Sequence, residues 1–158
     1  MPSAGERAPP FEGITGDGKR VRLEDFRGRT LVLYFYPKDD TPGCTRQACS
    51  LRDDAAALER AGVSVLGVST QDEASHRAFA AKYRLGFPLL ADTRGEVGRA
   101  YGVLGGPGLA GWLRGVLGWS ARVTFVIGPD GTIAHVIRHP DVRRHAGEVL
   151  ALLGSGRP

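Results

Sequence analysis

Cysteine is scarce in this chain: only two of its 158 residues, Cys44 and Cys49, are cysteines. Two cysteines at this spacing, with no histidine near them in sequence, cannot complete the four-ligand shell of a zinc site, so we exclude a metal centre. Two thiols so close together would also be a poor crosslink for a secreted domain, whereas a reducing compartment leaves them free. The scarcity therefore favours a chemical role for these thiols.

The chain also lacks long apolar runs and one-sided charge. No stretch approaches the roughly 18 apolar residues of a membrane span, and no basic start precedes an apolar core and a cleavage site, so we expect a cytoplasmic protein. The formal charge is +4, but the 21 basic and 17 acidic residues are interleaved. The densest basic spot, Arg143 with Arg144, is too short to follow a phosphate backbone, which argues against nucleic-acid binding. The positive balance favours attraction of an acidic partner protein.

The hydrophobic pattern predicts one α/β domain over residues 1–158. With 42% hydrophobic residues, the chain is long enough for one buried core and too short for two. The expected strands are 11–14, 20–23, 30–36, 63–68, 87–90, 123–127 and 132–137, and the expected helices are 42–61, 73–83, 94–101 and 142–153. Strands separated by helices imply crossover connections, and hence a mainly parallel central sheet with helices on both faces.

Cys44 is predicted to lie in the first turn of a helix. Thr41 suits the N-cap, Pro42 suits the first helical position, and Cys44 then occupies the third. Unpaired backbone N–H groups and the positive end of the helix dipole favour a thiolate there. The segment directly follows the apolar run 31–36, and the carboxyl ends of sheet strands are where reactive groups gather. The pattern indicates a reactive cysteine.

The distance between the two cysteines in an intact helix sets a condition on any disulfide. Five positions along an ideal helix separate the Cα atoms of Cys44 and Cys49 by roughly 8 to 9 Å, whereas a disulfide needs them within about 7 Å. Pairing therefore requires the first turns to unwind. We hypothesise a folded form with Cys44 reactive and a locally unfolded form that carries the bridge.

A long motif surrounds these cysteines: Tyr34-Phe35-Tyr36-Pro37-Lys38-Asp39-Asp40-Thr41-Pro42-Gly43-Cys44-Thr45, followed by Gln47-Ala48-Cys49. Pro37, Thr41 and Cys44 meet the pattern Pro-x-x-x-Thr-x-x-Cys, and further matching segments lie at 87–92, 101–103, 122–127 and 130–131. Together these segments closely resemble the peroxiredoxins, and among them the Q subfamily, also called bacterioferritin comigratory protein. The resemblance implies a thioredoxin-like fold with an N-terminal β-hairpin and no cofactor.

The resemblance also implies a role for each matching residue. Cys44 would be the peroxidatic cysteine, which attacks a hydroperoxide and becomes a sulfenic acid. Thr41 would hydrogen-bond substrate and thiolate, Pro37 would shield the sulfur from water, and Arg122 would favour the thiolate and polarise the peroxide. Cys49 would be the resolving cysteine, and thioredoxin or a similar dithiol protein would reduce the resulting intramolecular disulfide. An intramolecular partner thiol removes the need for a dimer, so a monomer is expected.

Two other functions remain open. A disulfide reductase shares the thioredoxin-like fold, but that chemistry usually uses Cys-x-x-Cys, whereas four residues separate these thiols. A redox-sensing interaction protein would bind a partner through its oxidised, unwound segment. Peroxide consumption coupled to a thioredoxin-type electron supply would distinguish a peroxidase from both.

The remaining polar residues of interest are interpreted as structural. The four histidines are expected on helix and hairpin surfaces without catalytic roles: His76, His135, His139 and His145. Asp39 and Asp40 are expected to order the loop as turn residues, and Lys38 and Arg46 to project into solvent. Gln47 either positions the first helical turn or is a plain exposed helix residue.

Residues 105–119 form a Gly- and Trp-rich apolar segment, which we interpret as an insertion. Its apolar residues follow the i, i+3, i+4, i+7, i+8 pattern of one helix face: Leu109, Trp112, Leu113, Val116 and Leu117. The favoured interpretation is a helix packed over the core, because single amphipathic helices usually bury such a stripe. The alternative is an exposed patch for a dimer contact, a lipid-hydroperoxide substrate or a membrane surface, and of these a membrane contact through 109–117 is disfavoured.

Overall fold

Across residues 1–105 and 108–155, which the computed structural model describes, the chain folds around one five-stranded mixed sheet. The strands are β1 (Glu12–Ile14), β2 (Arg20–Arg22), β3 (Thr30–Phe35), β4 (Val63–Ser69), β5 (Leu89–Ala91), β6 (Val123–Ile127) and β7 (Ile133–Ile137). The sheet order is β5-β4-β3-β6-β7. Strands β3 to β5 pair in parallel, whereas β3–β6 and β6–β7 are antiparallel. The α/β fold is confirmed, and within the five-stranded sheet two strand pairings are parallel and two are antiparallel.

The expected N-terminal hairpin is also present. Strands β1 and β2 pair antiparallel, with Glu12 opposite Arg22 and Ile14 opposite Arg20. An isolated bridge between Thr15 and Leu90 joins the hairpin to the edge of the main sheet.

Strand β3 lies at the centre of the sheet because it is apolar on both faces. Leu31, Leu33 and Phe35 belong to one buried cluster, and Val32 and Tyr34 belong to the cluster on the opposite face. Such continuous burial is typical of a central strand covered on both sides. Helices cover both faces, as expected, and are α1 (Pro42–Asp53), α2 (Ala55–Arg60), α3 (Glu73–Tyr83), α4 (Glu96–Ala100), α5 (Gly108–Leu117) and α6 (His145–Ser155).

Some predicted helix bounds were wrong. The single helix expected over 42–61 is two helices, because the backbone at Asp54 (φ −102°, ψ 20°) leaves the helical region between α1 and α2. Gly62 does end the second one, with φ +75°, a conformation that glycine adopts without steric cost. The last helix begins later than expected, because the Asp141 side chain accepts a hydrogen bond from the backbone N–H of Arg143 and holds a turn there.

Helix α5 forms where the apolar periodicity predicted a helix, but its expected packing over the core was wrong. Leu109 is 72% exposed, Trp112 61% and Val116 64%. Both sheet faces are already covered by other elements, so the stripe finds no core surface to bury against. No described helix is both long and apolar enough to cross a membrane.

Candidate active site

The Cys44 thiol and the Arg122 guanidinium form the centre of the site. Cys44 is the third residue of α1 and is 1% exposed. Arg122 directly precedes β6, and the antiparallel register that places Val123 opposite Phe35 brings it to the carboxyl end of β3. Its Nη2 donates a hydrogen bond to Cys44 Sγ at 3.2 Å. Two residues 78 positions apart thus meet at the sheet edge where the sequence predicted a site.

Gly43 makes room for this contact. A Cβ at position 43 would lie 3.1 Å from Arg122 Nη2, which is tighter than ordinary van der Waals contact. A side chain there would push the guanidinium away from the Cys44 sulfur.

Gln47 orients the guanidinium and is a site residue that the sequence left undecided. It is fully buried, and its Oε1 accepts a hydrogen bond from Arg122 Nη1 at 2.7 Å. Its Nε2 is buried and has no partner among the residues that the structure describes. The spacing in the sequence could have indicated this role of Gln47, because a residue three positions after Cys44 lies on the same face of a helix.

Thr41 and Pro37 border the site on the loop between β3 and α1. Thr41 is the N-cap of α1, as predicted, but its side chain does not cap the helix; Thr41 Oγ1 donates to the Lys38 carbonyl at 3.0 Å. Pro37 is half-buried, and its carbonyl accepts a hydrogen bond from Gln71 Nε2 at 3.3 Å. The contacts of Thr41 with thiolate and substrate, and the shielding by Pro37, stay predictions.

Cys49 lies one turn and a half further along the same helix. It is partly buried, and both it and Cys44 are free thiols. Because α1 is intact from Pro42 to Asp53, the two sulfurs occupy the separated arrangement that the sequence predicted for the folded form.

Asp39 and His76 together hold the loop in place. Asp39 and Asp40 lie in a turn, as predicted, and Asp39 is also buried. His76 is fully buried within α3, so its predicted surface position was wrong. Asp39 Oδ2 bonds His76 Nδ1 at 2.7 Å, and His76 Nε2 bonds the Leu90 carbonyl at 3.0 Å. Tyr36 and Ser75 hydroxyls donate to the same carboxylate at 2.6 Å and 2.7 Å. The α3 face predicted from apolar periodicity thus includes a polar network.

The electrostatics of this network favour an ionised Asp39. Burial alone would raise the pKa of Asp39, but hydrogen bonds from His76, Tyr36 and Ser75 outweigh it and hold that pKa below its ordinary value. Burial raises the pKa of Tyr36 well above its ordinary value, so its phenol stays a hydrogen-bond donor. The pKa of the neighbouring Tyr34 is likewise raised well above its ordinary value, first by burial and then by the electrostatic interaction with Cys44.

The other histidines divide between interior and surface. His145 is buried, with Nε2 at 2.9 Å from Thr124 Oγ1 and Nδ1 at 3.0 Å from Glu148, so its predicted surface position was wrong. Burial lowers the pKa of His145 below its ordinary value. His135 is half-buried on β7, and His139 is exposed as expected. Within the described ranges, no cluster of three or more His, Cys, Asp or Glu side chains could hold a metal ion.

Lys38 and Arg46 are both exposed, as the sequence predicted. The Lys38 ammonium lies over the Trp119 ring, 5.7 Å from its centroid. This contact connects the active-site loop to the segment that follows α5.

The arrangement can support nucleophilic chemistry at sulfur. The buried Cys44 sulfur lies at a helix N-terminus and accepts a hydrogen bond from Arg122, a cation that cannot lose its charge. The guanidinium also presents N–H donors on the side of the sulfur where negative charge would develop on a reacting oxygen.

Comparison with known proteins places this geometry in a family. The AhpC/TSA family model matches residues 4–136. The chain is 41% identical over 152 residues to "Peroxiredoxin Q, chloroplastic" of Triticum aestivum, covering 96% of this chain and 66% of that protein. It is 41% identical over 150 residues to "Putative peroxiredoxin bcp" of Coxiella burnetii, covering 94% and 97%. The chain thus spans about two thirds of the plant relative and nearly all of the bacterial one.

Solved structures agree with the sequence relatives. Peroxidoxin BcpB of Mycobacterium tuberculosis superposes with a TM-score of 0.86 at 33% identity over 100% of both chains. A cysteine-to-serine variant of PrxQ from Xylella fastidiosa superposes with a TM-score of 0.87 at 30% identity, covering 98% of this chain and 97% of that one. The thioredoxin-like fold implied by the sequence is confirmed. The chain therefore belongs to the AhpC/TSA family and, within it, to the peroxiredoxin Q and bacterioferritin comigratory protein group.

Proposed function

We propose that this chain is a thiol peroxidase that reduces hydrogen peroxide and organic hydroperoxides at Cys44. The observation that carries the proposal is the 3.2 Å contact between Cys44 Sγ and Arg122 Nη2 at the start of α1. The relatives named peroxiredoxin support it, as does the solved structure of a Xanthomonas campestris bacterioferritin comigratory protein described by its alkyl peroxide reduction activity.

In the first step, the Cys44 thiolate attacks the terminal oxygen of the hydroperoxide. The S–O bond forms as the O–O bond breaks, and the leaving oxygen takes up a proton and departs as water or an alcohol. Arg122 stabilises the negative charge that develops on the oxygens, while its second N–H remains held by Gln47. Thr41 would hydrogen-bond the substrate oxygen after its hydroxyl turns from the Lys38 carbonyl, and Pro37 would keep water from the sulfur.

In the second step, the Cys49 thiolate attacks the sulfur of the Cys44 sulfenic acid. The S–S bond forms and the sulfenic oxygen leaves as water after taking up a proton. Because both cysteines lie in one intact helix, the first turns of α1 must unwind before the sulfurs meet. A dithiol protein such as thioredoxin would then reduce the disulfide, with a reducing compartment such as the cytoplasm as the setting. The intramolecular bridge needs no second chain, and we propose a monomeric catalytic unit.

Intact-protein mass spectrometry after one equivalent of hydrogen peroxide tests both steps. The unaltered chain should lose two hydrogens, Cys49→Ser should gain one oxygen, and Cys44→Ser should keep its mass. Steady-state peroxide consumption by Cys44→Ser at the unaltered rate would refute the catalytic assignment. A covalent dimer of the unaltered chain would refute resolution within one chain.

The alternative function is that of a redox-sensing or disulfide-exchange protein. Such a protein would also form the disulfide between Cys44 and Cys49, but it would not reduce peroxide repeatedly. A chain that forms the disulfide once yet consumes no further peroxide when supplied with thioredoxin and its reductase would favour that alternative. Sustained turnover under the same conditions would favour the peroxidase.

A further inference from the structure

The exposed apolar side chains of this protein are concentrated on one surface. Six of the seven large apolar residues that are exposed among the described residues lie between 109 and 119; they are Leu109, Trp112, Leu113, Val116, Leu117 and Trp119. We call these six residues the α5 face. Isolated exposed apolar residues are ordinary, but a contiguous group of this kind marks an interaction site.

We propose that the α5 face docks on an anionic phospholipid surface. Helix α5, at ten residues, is about 15 Å long, which is too short to cross a bilayer but sufficient to lie in its interface. The α5 face carries both tryptophans of the chain, Trp112 and Trp119. Indole rings concentrate where hydrocarbon meets the headgroups, because one edge is apolar and the N–H remains hydrated.

The charge around the α5 face favours anionic headgroups over another protein copy. From residue 97 to residue 129 the sequence contains no aspartate or glutamate, so the segment that carries the α5 face brings no negative charge to it. The exposed Lys38 ammonium lies at the edge of the face, over the Trp119 ring. Basic groups next to a membrane-facing helix add attraction to anionic lipid. Two copies of a chain with net charge +4 would bring like charges together instead.

The glycine content of α5 also favours docking of this helix on a surface outside the chain. Gly108, Gly111 and Gly115 lie within its ten residues, and glycine is among the weakest helix formers. A short helix with a solvated apolar stripe gains little stability in water, since most helical stability in proteins comes from burying such a stripe. A surface outside the chain, soft enough to accept two indoles and several aliphatic groups, would supply that burial.

The α5 face is continuous with the active-site loop. The Thr70 hydroxyl donates to the Gly118 carbonyl, and the Ser120 hydroxyl donates to the Tyr36 carbonyl at 3.0 Å. These bonds hold the segment that follows α5 against the ends of β4 and β3, and the loop that leads to Cys44 begins at the end of β3. Docking would therefore place the thiol close to the lipid without requiring contact between the lipid and the sulfur.

Vesicle binding tests the proposal independently of catalysis. The full chain is mixed with vesicles of phosphatidylcholine alone or of phosphatidylcholine with phosphatidylglycerol, and bound protein is measured by co-sedimentation and by the blue shift of tryptophan emission. We expect binding to the anionic vesicles, with weaker binding to the neutral ones and release by high salt. Leu109→Ser combined with Val116→Ser should reduce the partition coefficient by about tenfold or more, because two exposed anchors are lost.

Ala110→Ser is the matched control, since it adds a hydroxyl to the same exposed helix without removing a large apolar residue of the α5 face. It should bind as the unaltered chain does. All variants should keep the unaltered rate of peroxide consumption, because the substituted residues are exposed on α5 and the hydrogen bonds at the Cys44 site come from Arg122 and Gln47. Absence of vesicle binding, equal binding to neutral and anionic vesicles, or a lipid-free dimer that the double variant dissociates would each overturn the proposal.

Discussion

Replacing Arg122 by methionine is the sharpest test of the active-site geometry. Methionine keeps much of the length of the side chain but removes the charge and both hydrogen bonds, to Cys44 Sγ at 3.2 Å and to Gln47 Oε1 at 2.7 Å. We expect the second-order rate constant for reaction of Cys44 with hydrogen peroxide to fall by about 10- to 150-fold.

The magnitude follows from the contact itself. At 3.2 Å and an effective dielectric constant of about 20, two unit charges attract by about 5 kcal/mol. Arg122 is only half-buried, so solvent screens part of this attraction. A hydrogen bond to a charged group is worth about 1.5 to 3 kcal/mol, and each 1.36 kcal/mol corresponds to a factor of ten in rate. The predicted loss of rate is therefore taken from the range of about 1.5 to 3 kcal/mol, which lies below the unscreened attraction of about 5 kcal/mol.

Stopped-flow tryptophan emission or competition with a second peroxidase would measure the rate constant. Arg46→Met is the matched control, because Arg46 is an exposed arginine on the same helix as Cys44. It should react within about twofold of the unaltered chain, as expected for an exposed charge. Arg122→Lys should fall between the two variants, since one ammonium cannot hold Gln47 and Cys44 together as the planar guanidinium does. An Arg122→Met variant as fast as the Arg46→Met control would refute the assigned role.

Three further outcomes follow from other parts of the structure. Gly67→Ala should lower the free energy of unfolding by about 1 to 3 kcal/mol in urea titrations, because its Cβ would lie 2.7 Å from a Leu89 methyl and 2.9 Å from the Tyr34 hydroxyl; unchanged stability would contradict this packing. The lowered pKa of Asp39 contributes stability above its ordinary value of 3.8 that is lost as pH falls through the folded value, so Asp39→Asn should be less stable at neutral pH and lose less on acidification; parallel pH profiles of urea unfolding would contradict it. Formation of the intramolecular disulfide should raise amide hydrogen exchange across residues 41–52, and unchanged protection in a chain verified to carry the bridge would exclude unwinding of α1.

Local patterns predicted much of the fold because each depends on residues that are neighbours in sequence. The apolar run of β3 and the Thr41-Pro42 helix start placed Cys44 correctly at the carboxyl end of a central strand. The break at Asp54 was missed because the apolar spacing continues across it into α2. The α5 helix was predicted from periodicity, but periodicity does not say whether a core surface is available to receive the stripe.

The parts of the site that depend on contacts between distant segments were harder to predict from the sequence. Arg122 was assigned only through family resemblance, since no local pattern links it to a thiol 78 positions away. The burial of His76 was missed because its partners, the Asp39 carboxylate and the Leu90 carbonyl, come from distant elements. A buried polar residue is predictable only when its partners are known, because it is the hydrogen bonds that make its burial tolerable.

The antiparallel pairing of β6 with β3 has a consequence for how reactivity arises during folding. Arg122 reaches Cys44 only after Val123 has paired with Phe35, and such non-local pairings depend on closing a long chain segment. A chain still emerging from the ribosome therefore carries the thiol before it acquires the neighbouring cation. Until that pairing forms, Cys44 lacks the hydrogen bond from Arg122 on which the proposed peroxide chemistry depends, so the assembly of the central sheet and the completion of the site are one event.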